Sequence, residues 1–373
     1  MFTAKLSNSP AASSATAGVL HLTANRPVDV AVQGVNPAQH PDWDKLLALH
    51  PRRSFFHGAA WAKVLESTYG FTPTYFAINK AGAIQALLPL MEVDSWLTGR
   101  RGVALPFTDD CQPLSSGDDS FGRLVKSAMD FGRDRGWRYI ELRGGKELFE
   151  GASPSLSFYG HCLNLVEDQD LMFAQLGGSV RRAIRKAVRC GVTVEISSSL
   201  DAIKTFHSLQ CKTRKLHGLP PQSFAFFRNI YEHILSRNLG IVVLARHQGR
   251  LIAAAVYFHL GQQAIYKYGA SDRSFQHLRG NNLVMWEAIK WHARNGSTTL
   301  DLGRTSLMNE GVRRFKLGWG VEEKLIEYVK YDLRQERFVS EPDESFGWYN
   351  RCFQMMPVFL SRMIGAALYR HWA

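Results

Sequence analysis

Lys316 stands between Phe315 and Trp319 in the run Asn309–Gly320, which is rich in arginine and glycine. A lysine in an aromatic setting can stabilise a developing oxyanion or bind phosphate; the plainer reading of the residue type is a surface lysine. Upstream, Asp301 lies in a short apolar strand candidate, Thr299–Leu302, just before Gly303 and Arg304. A carboxylate at a strand end beside glycine is placed to give or take a proton. It could equally cap the turn that follows.

A second group surrounds the segment Tyr266–Ser271, which ends a strand and includes Tyr268. A polar loop follows, with Arg273, His277, Arg279, Gly280, Asn281 and Asn282, and then a helix begins. Backbone N–H groups at a helix start attract anions, and glycine lets the ligand approach closely. Ser271, Arg279, Gly280, Asn281 and Asn282 are therefore candidate donor-binding positions, with an ordinary turn and cap as the alternative. The equivalent loop of the first part, Cys111–Asp119, carries Pro113 and two carboxylates and no cation. Only the later loop suits a phosphorylated ligand.

Basic charge concentrates between Ser179 and His217, where nine lysines and arginines face only Glu195 and Asp201. On a helix, Arg181, Arg185 and Arg189 form one stripe beside the apolar stripe Val180, Ile184 and Val188, and Gly191 ends the segment. Arg181, Arg185 and Arg214 are candidate phosphate ligands, because guanidinium offers a fork of donors to anionic oxygens. A solvated helix face is the alternative. An RNA-binding role has no RNP, KH or helix-turn-helix signature to accompany it. His57, among Phe55, Phe56 and Trp61, is a candidate substrate contact or a packed histidine. Cys111 follows Asp109 and Asp110, whose charges would raise a thiol pKa rather than activate it. The histidines show no ligand spacing such as H-E-x-x-H, so no metal is expected.

The elements that must position these residues occur twice. In the first half, strands Tyr75–Asn79 and Ala83–Val93 are joined by a glycine turn, followed by the helix Phe121–Arg135, Gly136 and the strand Tyr139–Leu142. In the second half, Ile241–Ala245, a turn with Gly249 and Leu251–Leu260 are followed by the helix Leu283–Arg294, Gly296 and Thr299–Leu302. Upstream, the helices Pro41–Leu49 and Ala59–Tyr69 correspond to Leu200–Lys215 and Phe224–Arg237. Each half reads strand, helix, helix, three strands, helix, strand. Glycine-turn neighbours pair antiparallel and strand–helix–strand passages pair parallel. The expected fold class is α/β (α+β): two tandem domains, each a mixed, largely antiparallel sheet flanked by helices. The expected boundaries are a flexible tail at 1–27, a first half at 28–166, a second at 167–335 that binds the donor and carries the catalytic residues, and a helical tail at 336–373.

Composition bounds the rest. The chain has 373 residues, 45% of them hydrophobic and 21% charged, which excludes wholesale disorder and fibrous classes. The formal net charge of +12 points to an anionic partner. The N-terminal stretch lacks the apolar core of a signal peptide, and no apolar run approaches the ~20 residues of a spanning helix. Five cysteines without C-x-x-C spacing fit a reducing compartment. A cytoplasmic location is expected, with peripheral contact at the inner membrane face as an alternative. The apolar stretch Met355–Trp372, with Arg362 and Arg370, could lie on a membrane surface or dock on the protein body.

The ordered set of motifs resembles a known family. The set comprises Arg181–Ala187 with Gly191-Val192, Thr213–Pro220, Tyr268–Ser271, Asp301–Gly303 and Phe315-Lys316 with Gly318–Gly320; Phe56–Trp61 and Leu105–Phe107 fit in the first half. It is similar to the Fem-like branch of the GNAT acyltransferases, which includes members linked to cellulose or exopolysaccharide synthesis. The resemblance implies two tandem GNAT folds with a substrate cleft between them. It implies transfer of an acyl or aminoacyl group to an amine or hydroxyl of a glycan, a lipid-linked precursor or another cell-envelope precursor. The donor would be acyl-CoA or, alternatively, aminoacyl-tRNA, for which the cationic helix would be the tRNA contact. Lys316 matches the position associated with oxyanion stabilisation, and Tyr268 and Asp301 are its catalytic companions. The loop Gln276–Asn282 departs from the usual pyrophosphate pattern Q/R-x-x-G-x-G/A, which keeps open a non-catalytic module that binds anionic ligands.

Overall fold

The computed structural model describes residues 31–80, 82–115, 119–149, 151–340 and 349–372; the expected tail at 1–27 lies outside them. β1 (Gln33–Val35) leads into α1 (Trp43–Ala48) and α2 (Ala59–Tyr69). β2 (Thr72–Lys80), β3 (Ala83–Val93) and β4 (Arg101–Val103) follow, then α3 (Asp119–Asp134), β5 (Tyr139–Arg143) and β6 (Leu156–Asn164). After α4 (Gln169–Gln175) and α5 (Gly178–Arg189) come β7 (Thr193–Ser197), α6 (Leu200–Leu216), α7 (Phe224–His233), β8 (Gly240–His247), β9 (Arg250–Leu260) and β10 (Gln263–Ser271). The chain continues with α8 (Gly280–Arg294), β11 (Thr299–Ser306), α9 (Glu310–Leu317) and β12 (Glu322–Asp332). It ends with β13 (Arg337–Phe338), α10 (Tyr349–Met355) and α11 (Val358–Leu368).

One continuous sheet runs β1-β2-β3-β4-β5-β12-β6-β11-β10-β9-β8-β7, with β13 beside β12. The order is symmetric about its middle, where β6 and β12 pair antiparallel from Leu156↔Tyr328 to Glu322↔Cys162. Each of these two strands sits with the other half: β12 on β5, β6 on β11. The sheet runs on across the boundary expected at 166/167. That boundary cuts the chain but not the sheet, because two strands absent from the sequence reading are exchanged across the middle.

Alternation along the strands builds both faces. Tyr75 and Ala77, with Val242, Val256 and Phe258, join Trp43, Trp61, Phe206, Phe226 and Ile230 in a single core. The helices α1, α2, α6 and α7 thus cover one face of both halves together. On the other face, Phe76 and Ile78 pack under Phe121 and Leu124 of α3, while Val243 and Ala255 pack under Ile184 of α5 and Trp286 and Ile289 of α8. Helix starts follow their caps: Ser199, Ser223 and Asn309 each accept a backbone N–H of the first turn of α6, α7 and α9.

Two strand pairs are parallel, β4 with β5 and β10 with β11. The second is short. It pairs only from Gln263↔Thr299 to Ile265↔Asp301, although β10 runs on to Ser271 and β11 to Ser306. Bulges follow at Tyr266/Tyr268 of β10 and Asp301/Arg304 of β11. The strands part there and leave a crevice in mid-sheet.

Candidate active site in the crevice between β10 and β11

Helix α9 brings Lys316 to this crevice. Trp319 is fully buried with Phe315 against it, ring centroids 6.1 Å apart. The Gly318 carbonyl accepts the Gly177 N–H at 2.9 Å, which docks the end of α9 on the start of α5. Lys316 is consequently only 6% exposed, and its Nζ donates to the carbonyls of Gly303 at 2.8 Å and Arg304 at 3.0 Å. An ammonium has three donors, so one N–H remains uncommitted among the described residues. Burial lowers the Lys316 pKa to about 8, against the opposing fields of Asp109 and Asp301.

The β11 bulge sets the opposite wall. Gly303 has a φ of 72°, and a side-chain carbon there would lie 2.7 Å from Asp109 Oδ2. Its N–H donates to Asp301 Oδ1 at 2.7 Å. Burial raises the Asp301 pKa to about 6, with Asp109 and Asp110 adding to the shift and the Gly303 N–H and Lys324 opposing it. Asp301 thus both caps its turn and titrates near neutrality, so the two readings of this residue are compatible.

Residues the sequence reading did not single out complete the crevice. Asp109 arrives on the loop after β4, from the other half of the chain, and lies 3.9 Å from Lys267 Nζ and 3.7 Å from Arg304 Nε. Its carbonyl accepts from Tyr328 of β12 at 2.7 Å. Lys267 donates to the Phe107 carbonyl at 2.5 Å and lies over the rings of Phe56 and Trp61; burial lowers its pKa. Lys324 pairs with Asp110 at 2.8 Å. The available signal was Lys267 itself, a lone cation in a strand of aromatic and small residues.

The donor-loop candidates gather at the start of α8. Arg279 is exposed with a φ of 60°, and no side chain caps the helix. Gly280 is buried; a side-chain carbon there would lie 3.0 Å from Ile252 and 3.2 Å from Ala253, so glycine lets α8 start close against β9. Asn281 is exposed and Asn282 half-buried. Ser271 is pinned to α6, its N–H donating to Thr213 Oγ1 at 3.0 Å.

Other candidates are engaged elsewhere. Tyr268 packs edge-on against Phe226 and Phe227, and burial raises its hydroxyl well above the usual range. His57 is a packed histidine. Its Nδ1 accepts the Ser54 N–H at 2.9 Å, so Nε2 donates to the Gln112 carbonyl at 2.8 Å, and burial lowers its pKa to about 4. Arg214 donates to the Tyr369 hydroxyl and the Pro220 carbonyl, tethering the C-terminal segment rather than facing a ligand. Arg185 is exposed and lies over the Phe173 ring at 5.2 Å, and Arg181 is half-buried on α5. The Cys111 thiol is raised as expected, although burial precedes Asp110 as the cause.

Residues 177–317 match the acetyltransferase (GNAT) domain family, a span from the start of α5 to the end of α9. Over that span the chain is similar to this family. Among solved structures it is similar to FemX, at 17% identity over 79% of this chain and 96% of that one, with a TM-score of 0.63. It is also similar to a tandem GNAT protein from the clavulanic acid biosynthesis pathway, at 12% identity over 81% and 98% of the two chains, with a TM-score of 0.53. A third is L-PGS from Bacillus licheniformis, at 11% identity over 90% and 98%, with a TM-score of 0.52. At these identities the likeness is one of fold: two tandem GNAT-like units sharing a mixed sheet. No curated protein sequence matches the chain.

Proposed function

We propose that the protein is an acyltransferase that moves an acyl group from acyl-CoA to an amine or hydroxyl of a cell-envelope or exopolysaccharide precursor. The observation that carries this reading is the Lys316 ammonium, anchored by two carbonyls at the point where β10 and β11 part, with one N–H uncommitted among the described residues. The acceptor lone pair attacks the thioester carbonyl carbon and forms the new C–N or C–O bond. Charge develops on the carbonyl oxygen, where the third Lys316 N–H donates. Asp301, ionised above about pH 6, takes the acceptor proton directly or through a water. Collapse of the tetrahedral intermediate breaks the C–S bond and expels the thiolate, which takes up a proton from solvent as Asp301 gives its own back to solvent. The uncapped start of α8, with Arg279 and the Gly280–Asn282 backbone, would receive the donor's phosphates.

Aminoacyl-tRNA is the second reading of the donor. It is favoured by the exposed cations Arg182, Arg185, Lys186 and Arg189 on α5 and by the fold likeness to FemX. The experiment is calorimetric titration with acetyl-CoA and with aminoacylated tRNA, at low and high salt. Saturable acetyl-CoA binding weakened by Arg279→Ala supports the first reading. Binding of charged tRNA that falls steeply with salt, without acetyl-CoA binding, supports the second. If neither binds, the transferase reading fails and a non-catalytic module remains.

A further inference from the structure

The C-terminal helix α11 has one side fixed to the body and the other left bare. Ser361 and Gly365 are buried, and Gly365 abuts the Pro221 carbonyl. Past the helix, the Tyr369 hydroxyl donates to the Pro220 carbonyl at 3.1 Å. The His371 carbonyl accepts from Arg101 at 2.9 Å and Thr98 at 3.1 Å, and its ring meets Ser95 Oγ at 2.8 Å. The segment is therefore a rigid part of the surface, held by residues of both halves.

Its outer side is apolar. Phe359 is 63% exposed and Met363 67%, one helical turn apart on a single stripe, with Leu360 and Trp372 also exposed. The loop after β3 extends the patch: Trp96 is 84% exposed and its ring lies 5.4 Å from that of His371, with Leu97 beside it in sequence. Charge on this segment has one sign. Residues 349–373 contain no aspartate or glutamate; the exposed Arg362 lies next to Met363 in α11, and the exposed Arg370 lies just past the helix end. Lys212 and Lys215 follow near the end of α6, whose Leu216 carbonyl accepts from Gln354.

We propose that this face of α11, with Trp96 and Leu97, docks the protein onto an anionic lipid membrane. An apolar stripe edged by arginine matches the boundary between acyl chains and anionic headgroups. There the aliphatic and aromatic groups enter hydrocarbon while guanidinium reaches phosphate. Tryptophan at the ends of the patch suits the same depth, apolar body inward and N–H outward. Among the described residues no helix is long and apolar enough to cross a membrane, so the contact is peripheral. It does not depend on the donor.

The test is cosedimentation of the full chain with vesicles of phosphatidylcholine alone and of phosphatidylcholine mixed with phosphatidylglycerol. The expected result is binding to the mixed vesicles that falls with salt. Phe359→Ser with Met363→Ser should weaken it about tenfold or more, and Arg362→Gln with Arg370→Gln should remove the preference for anionic lipid. All four side chains are exposed, so both double variants should keep the wild-type melting temperature. A blue shift of tryptophan emission on vesicle addition, reduced in Trp96→Phe, would support insertion. Absence of binding to anionic vesicles, or equal binding by the Phe359/Met363 variant, overturns the proposal. So does a dimer in sedimentation equilibrium that the same variant dissociates, since the face would then belong to a second copy.

Discussion

The Gly303 carbonyl accepts a hydrogen bond from Lys316 Nζ at 2.8 Å, and Gly303 holds it there with a φ of 72° beside Asp109. The glycine thus serves two ends: the bulge turns a carbonyl toward the lysine, and the missing side chain admits the carboxylate of the other half. Gly303→Ala should cost ~1–2 kcal/mol from the left-handed backbone alone, and more from the 2.7 Å approach to Asp109 Oδ2. Urea unfolding measures the loss. Acyl transfer should fall with it, because Lys316 and Asp109 would both be displaced.

Asp301→Asn separates stability from chemistry. The folded pKa of about 6 lies above the ordinary aspartate value of 3.8, so the native state binds protons more readily than the unfolded chain. The carboxylate is then a burden on stability above about pH 6, relieved as the pH falls through 6 toward 4. The variant should therefore melt higher than wild type at pH 7.5, with the difference closing toward pH 4. It should transfer acyl groups ~10²–10⁴-fold more slowly if the residue takes the acceptor proton. Calorimetric scans across that pH range, paired with turnover, check both halves of the prediction.

Gly280→Val should push α8 off β9, since even one added carbon meets Ile252 at 3.0 Å. Donor affinity should fall while the Lys316 pKa stays near 8. Arg279→Ala, at an exposed position, should lower donor affinity without a change in melting temperature. Titration with acetyl-CoA measures both losses of affinity, and thermal melting tells the two variants apart.

The core shared by both halves predicts one unfolding transition. Phe226, wholly buried, touches Trp61 and Tyr69 of the first half and Tyr268 and Phe227 of the second. Phe226→Ala should cost ~3–5 kcal/mol and shift the whole melt together. Two separated transitions in differential scanning calorimetry would show that the halves fold independently.

The helices and outer strands were legible because their patterns are regular: glycine turns between alternating strands, and helices with clear apolar stripes. The exchanged strands β6 and β12 were not. Glu322, Glu323 and Lys324 open β12 with charges that read as loop, yet each finds a partner across the sheet in Asn164, His161 or Asp110. The candidate site divided in the same way. Lys316 and Asp301 carried a local motif, glycine or aromatic neighbours. Asp109 and Lys267 meet only because chain segments distant in sequence converge, which residue spacing does not encode. Tyr268, His57 and Arg214 had suggestive residue types, and burial or a tether claimed them instead.

The most direct measurement is the pH dependence of acyl transfer in wild type, Lys316→Arg and Lys316→Met, with donor affinity determined in parallel. The expected wild-type profile rises through about pH 6 as Asp301 ionises and falls through about pH 8 as Lys316 loses its proton. Lys316→Met should bind donor as wild type does while kcat falls ~10²–10³-fold, and Lys316→Arg should lose the alkaline limb. A folded Lys316→Met protein with unchanged kcat and an unchanged alkaline limb would contradict the account.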